Sequence, residues 1–118
     1  MTEIFNKETL QTIYNQAKRD KDVLKMILNS FIKDIDEIIA EMLRDIGSKD
    51  ITKLKNSIHT LKGLSATIGA LKLRDSSVVF EEQIRNNDLT NKDRLINQIL
   101  SDIVEIKTYI NNFDYSVL

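Results

Sequence analysis

Cysteine is absent from this chain, so neither a disulfide nor a thiolate metal site is open to it. A single histidine in 118 residues leaves too few nitrogen ligands for an ordinary zinc site. Proline is missing too, and glycine occurs only at 47, 63 and 69, so little interrupts a helix. No apolar run approaches the ~18 residues that a membrane span requires. The opening residues Met1-Thr2-Glu3-Ile4-Phe5-Asn6 lack the basic-then-apolar layout of a secretion signal. With a net charge of −1, no basic arm and no interleaving of aromatic and basic residues, nothing suggests a nucleic-acid partner. A soluble, cytoplasmic protein with neither membrane nor nucleic acid among its partners is the expectation.

What remains is an ordinary globular composition, 42% hydrophobic and 30% charged. Residues 1–118 make one domain's worth of chain, long enough to bury roughly 65% of its unfolded surface. Isoleucine, leucine, lysine and aspartate are the commonest residues. The β-branched isoleucines would favour strands in isolation, but they recur with a helical period, and the period should decide.

The first helix is expected over about residues 7–18, capped by Asn6, with Leu10, Ile13 and Tyr14 inward. Asp20 can cap a longer second helix whose stripe runs Leu24, Ile27, Leu28, Phe31, Ile35, Ile38, Met42 and Ile46. Gly47 would end it in a left-handed turn. The connector Ser48-Lys49-Asp50 is short, so a third helix capped by Asp50 should return antiparallel and end near Gly69. A fourth spans roughly 71–86 and buries Leu73, Ser77, Phe80 and Ile84. After the turn Asn86-Asn87-Asp88, Thr90 and Asp93 form a capping box for a fifth, which buries Leu95 or Ile96, Ile99, Ile103, Ile106, Ile110 and Phe113. Residues 114–118 should fray. The fold class is therefore all-α: an antiparallel up-down four-helix bundle with an additional short N-terminal helix.

His59 stands out within the third helix. The apolar stripe there is Ile51, Leu54, Ile58, Leu61 and Ile68, with Ser65 filling the gap. At about 100° per residue the stripe centres roughly 30–40° to one side of Ile58, and His59 lies about 100° to the other. The imidazole points away from the core, among Thr52, Lys55, Lys62, Gly63 and Ala66. The residues one turn away, Lys55, Asn56, Lys62 and Gly63, include no carboxylate, so a Ser-His-Asp arrangement has no local support. Nucleophilic phosphoryl transfer fits better. A neutral imidazole nitrogen can hold a phosphoryl group as a phosphoramidate, and cations within a turn can stabilise that anion. Lys62 is the nearer candidate and Lys55 the second. Gly63 costs roughly 1 kcal/mol against alanine in a helix interior. Clearance for a partner's approach accounts for it, and Ala66 extends the same flat surface.

The run His59-Thr60-Leu61-Lys62-Gly63-Leu64-Ser65-Ala66-Thr67-Ile68-Gly69-Ala70, followed by Leu73, resembles the motif of histidine-containing phosphotransfer (HPt) domains. That motif reads His-x-Leu-Lys-Gly, two mostly small residues, two variable ones, then an aliphatic, Gly and a small residue. The similarity extends into Phe80-Glu81-Glu82-Gln83-Ile84-Arg85-Asn86-Asn87-Asp88, upstream to Phe31-Ile32-Lys33-Asp34-Ile35, and to the connector at 47–50, and so covers most of the chain. Leu64 departs from it, since the family more often has Ser or Ala there.

The resemblance implies that His59 is the phosphoacceptor, Lys62 the residue nearest the phosphoryl group and Gly63 the clearance position. It implies response-regulator receiver domains, or a hybrid histidine kinase carrying one, as partners. A phosphoryl group would pass from a receiver aspartate to His59 and on to another receiver. Magnesium would belong to the receiver, and this chain would hold no cofactor. It has no glycine-rich nucleotide loop, so it should not phosphorylate itself from ATP. A monomer is expected, and the starting Met with single-domain length leans toward a free-standing carrier. Three other readings stay open. One is the phosphoacceptor and dimerisation domain of a histidine kinase, which usually has an acidic residue after the histidine and a proline beyond. Another is a helical adaptor that binds without phosphorylation, and the most distant is a hydrolytic enzyme.

Overall fold

Asn6 has extended backbone and accepts the amides of Glu8 and Thr9, which starts α1 (Lys7–Gln16). The computed structural model describes residues 3–47 and 51–118. Leu10, Ile13 and Tyr14 face inward from α1 as expected. Lys18 and Arg19, both left-handed with φ near 57° and 56°, then reverse the chain. Asp20 accepts the amides of Asp22 and Val23 and opens α2 (Lys21–Asp45).

The core face of α2 is Leu24, Leu28, Ile32, Ile35, Ile39 and Met42. Ile32 and Ile39 thus belong to the centre of a stripe that was expected to run through Ile27, Phe31 and Ile38. Those residues, with Ile46, are half-buried shoulders against the same core. Because α2 is touched by α1, α3 and α5, its apolar face is broad and its midline falls between the two readings. Gly47 takes no positive φ; the left-handed glycine is Gly69, at φ 73°. The expected Asp50 cap and the connector 48–50 lie outside the described residues.

The third helix, α3 (Ile51–Ile68), ends in a Schellman motif. The amide of Ala70 donates to the Ser65 carbonyl at 2.8 Å and that of Gly69 to the Ala66 carbonyl at 3.2 Å. Gly69 is needed for its positive φ and for its missing side chain. A Cβ on it would sit 2.8 Å from Cβ of Thr9, and its carbonyl accepts the Asn6 amide at 2.8 Å. The corner after α3 is thereby fastened to the start of α1. Ile51 is 38% exposed, not core. At the first helical position its side chain leans back past the helix end, beyond the packed surface.

Next comes α4 (Leu71–Arg85), which buries Leu73, Ser77, Phe80, Glu81 and Ile84. The turn after it is made by left-handed Asn87 and by Asp88, whose carboxylate takes the Thr90 amide. That bond displaces the expected Thr90–Asp93 capping box, and α5 (Lys92–Asn112) begins after Asn91 with no side-chain cap. Residues 114–118 do not fray. Tyr115–Val117 form a 3-10 turn capped by Asp114; Tyr115 is buried, with its ring edge-on to Phe113 and its hydroxyl donating to the Ile110 carbonyl.

The long helices α2 to α5 alternate in direction, and α1 lies across one end against α2 and α3. Both α2 and α4 pack on α3, while α5 closes the bundle against α4 and α2. No strand occurs among the described residues. The fold is the expected all-α bundle with an additional N-terminal helix. Its core is almost wholly aliphatic around Phe80, so Phe80→Ala should cost about 3–5 kcal/mol.

Candidate functional site: a histidine held by a buried glutamate

The side chain of His59 is 71% exposed halfway along α3, as the helix angle required. Beneath it lies Glu81, which α4 carries on its apolar stripe one turn after Ser77 and next to Phe80. Only 6% of Glu81 is accessible. A carboxylate buried so deeply must be paired and hydrogen-bonded to be tolerated. Its Oε2 accepts from His59 Nδ1 at 2.8 Å and its Oε1 from Lys62 Nζ at 2.7 Å. A second cation, Arg85, stands one turn along α4 with Nη2 3.4 Å from the same Oε1.

Burial pushes the Glu81 carboxyl upward, but the hydrogen bonds and charges of Lys62 and His59 outweigh it and hold the group below its ordinary value. Glu81 is therefore ionised at neutral pH and can only accept. Its partner assigns the tautomer of the neutral His59 ring: Nδ1 carries the hydrogen, which leaves the lone pair on Nε2. That lone pair lies on the opposite edge of the ring, which is open to solvent.

The remaining expected residues share this flank. Lys55, Gly63 and Ala66 are all exposed on α3. A Cβ built on Gly63 meets nothing within 4 Å, so internal packing gives no reason for a glycine there. Leu64 is half-buried and packs against the core. The ammonium of Lys62, on the same side of α3, rests on Glu81. No group of three or more His, Cys, Asp or Glu able to hold a metal ion occurs among the described residues. Nor is any described helix long and apolar enough to cross a membrane.

Glu81 supplies the orienting carboxylate that the residues one turn from His59 do not. It comes from 22 positions away on another helix, where a one-turn search cannot reach. A signal was present all the same. Glu81 falls at helical spacing within the run Leu73, Ser77, Phe80 and Ile84, and an acid on a core stripe needs a buried partner.

The model of the Hpt domain matches residues 26–113, three quarters of the sequence and both helices of this site. The chain belongs to the Hpt domain family. This Hpt domain is 24% identical over 106 residues to histidine-containing phosphotransfer protein 1 of Arabidopsis thaliana, an alignment covering 88% of this chain and 69% of that one. It is 34% identical over 73 residues to the phosphorelay intermediate protein YPD1 of Saccharomyces cerevisiae, covering 61% of this chain and 44% of that one. Among solved structures, histidine-containing phosphotransfer protein B of Pseudomonas aeruginosa PAO1 superposes with a TM-score of 0.83 at 20% identity, covering 94% of each chain. That likeness establishes the shared fold. In this Hpt domain one histidine is present, so a phosphohistidine has a single possible place.

Proposed function

We propose that this Hpt domain is a phosphorelay intermediate that accepts a phosphoryl group on Nε2 of His59 from a receiver-domain aspartate and passes it to another. The observation that carries this is the hydrogen bond from Nδ1 to Glu81, which leaves Nε2 as the exposed nucleophile. In the forward step the Nε2 lone pair forms the N–P bond. The P–O bond of the aspartyl phosphate breaks, and its electron pair leaves with the carboxylate. The proton on Nδ1 stays in place, so the ring becomes cationic as the bond forms. Glu81, already ionised against Nδ1–H, stabilises that charge without reorganising. Return transfer runs the same step backwards.

Lys62 retains N–H donors beyond the one spent on Glu81 and can direct them at the phosphoryl oxygens. Gly63, Ala66 and Lys55 belong to the surface on which a receiver docks, with Gly63 supplying clearance and Lys55 a peripheral charge. The chain acts as a carrier rather than a kinase, since its sequence has no glycine-rich nucleotide loop. Magnesium is supplied by the receiver's own carboxylates. The domain works in the cytosol as a monomer, because each amphipathic helix directs its apolar face into one shared core. Mixing the protein with a phosphorylated receiver tests this: acid-labile, base-stable phosphate should appear on the wild-type chain and not on His59→Gln. Equal labelling of the two would overturn it.

A further inference from the structure

Oxygen Oε1 of Glu81 faces two cations at unequal distance, one in a short hydrogen bond and one in a long, weak one. Lys62 occupies it at 2.7 Å, and Arg85, largely exposed on α4, waits at 3.4 Å. Lys62 also lies on α3 beside His59, where the only new anion in the reaction forms. A phosphoryl group on Nε2 brings more negative charge than the single carboxylate and draws the ammonium toward itself. If nothing replaced it, Oε1 of a carboxylate that is 6% exposed would lose its close partner. That loss would oppose the very movement that stabilises phosphohistidine.

We propose that Arg85 is a positioning residue that exchanges with Lys62: as Lys62 turns to the phosphoryl group, the Arg85 guanidinium closes onto Oε1 of Glu81. The exchange keeps Oε1 of the buried carboxylate paired while Lys62 is on the phosphoryl group, so the ammonium is not drawn back, and Arg85 acts on phosphohistidine by freeing Lys62. Arg85 is suited to this. It sits one turn from Glu81 on the same helix, so shortening a contact of 3.4 Å needs rotamer changes and no backbone movement. Its fork of donors meets a carboxylate from several angles. Arg85 does not touch the phosphoryl group and acts only through Glu81 and Lys62.

This role rests on His59 being the phosphoacceptor, and the test separates the two. The chain is phosphorylated chemically with phosphoramidate, without any receiver, and the lifetime of phosphohistidine is followed in a double-mutant cycle of Arg85→Ala and Lys62→Ala. Arg85→Ala should shorten the lifetime about three- to fivefold with Lys62 present. It should change nothing in the Lys62→Ala background, and Arg85→Lys should restore most of the loss. An equal loss in both backgrounds would mean that Arg85 contacts the phosphoryl group itself, and no loss in either would mean it has no part; each overturns the exchange. Independently of lifetimes, the Arg85 guanidinium NMR resonance should shift when His59 is phosphorylated, and a resonance that does not move overturns the exchange as well. A wild-type chain that takes up no phosphate on His59 would instead defeat the phosphoacceptor assignment.

Discussion

Two faces of α4 each meet a buried acid, and they use it differently. Toward α3, Glu81 is paired with His59 and Lys62, and through His59 it communicates with solvent. Toward α5, Asp102 is fully buried and accepts from the Ser76 hydroxyl at 2.5 Å and the Gln98 amide at 2.9 Å. Burial alone therefore does not make an acid functional. Asp102 spends its oxygens on neutral donors, Ser76 across on α4 and Gln98 one turn back on α5. Glu81 spends one of its oxygens on Nδ1 of an exposed ring and so leaves Nε2 turned to solvent.

The sharpest way to separate the two faces is to remove one at a time. His59→Gln should abolish phosphoryl uptake with helicity unchanged, as circular dichroism can check. An adaptor that works without phosphate would keep its activity in this variant. Glu81→Gln should come next, because it removes a charge-assisted bond worth about 1.5–3 kcal/mol. That corresponds to a transfer rate lower by roughly ten- to a hundredfold in stopped-time labelling assays. Asp102→Ala reverses the pattern. Leaving Ser76 and Gln98 without their acceptor should cost about 1–3 kcal/mol in denaturant unfolding, while transfer per folded molecule stays at the wild-type rate. A slow but stable Asp102 variant would erase the distinction between the faces.

Acid provides a graded version of the same comparison. Glu81 is held below its ordinary carboxyl value in the folded chain, so its contribution is present above the unfolded value and is lost as pH falls through the folded one. Stability and His59 orientation should both decline below about pH 4, and Glu81→Gln should remove that part of the acid limb. The smallest effect is expected at the docking surface. Gly63→Ala should gain up to about 1 kcal/mol of stability, since its Cβ has open space. Gly63→Leu should label normally with phosphoramidate yet slowly from a receiver. Normal receiver transfer in Gly63→Leu would remove the clearance role.

Much of the bundle was legible in the sequence because each long helix carries its apolar residues at one period. His59 could be placed on the outer flank of α3 from Leu54, Ile58, Leu61 and Ile68 alone. Local rules served less well where tertiary contacts compete. The Asp88 turn took the bond expected of a Thr90 cap, and the aromatic run Phe5, Tyr109, Phe113 and Tyr115 held down a tail that composition would leave loose. Glu81 was hidden for a different reason. Pairing between helices depends on how α3 and α4 are rotated against each other, and periodicity within one helix carries no record of that angle. Acids on core stripes, Glu81 and Asp102 alike, are the residues whose partners must be sought across the interface.

The most direct test of this arrangement uses the one histidine as its own reporter. The chain can be labelled with 15N-histidine, phosphorylated by a receiver, and examined for phosphorus–nitrogen coupling by NMR. Coupling to Nε2, with Nδ1 still protonated against Glu81, is the expected result. Coupling to Nδ1, or stable phosphate on any residue other than His59, would contradict it.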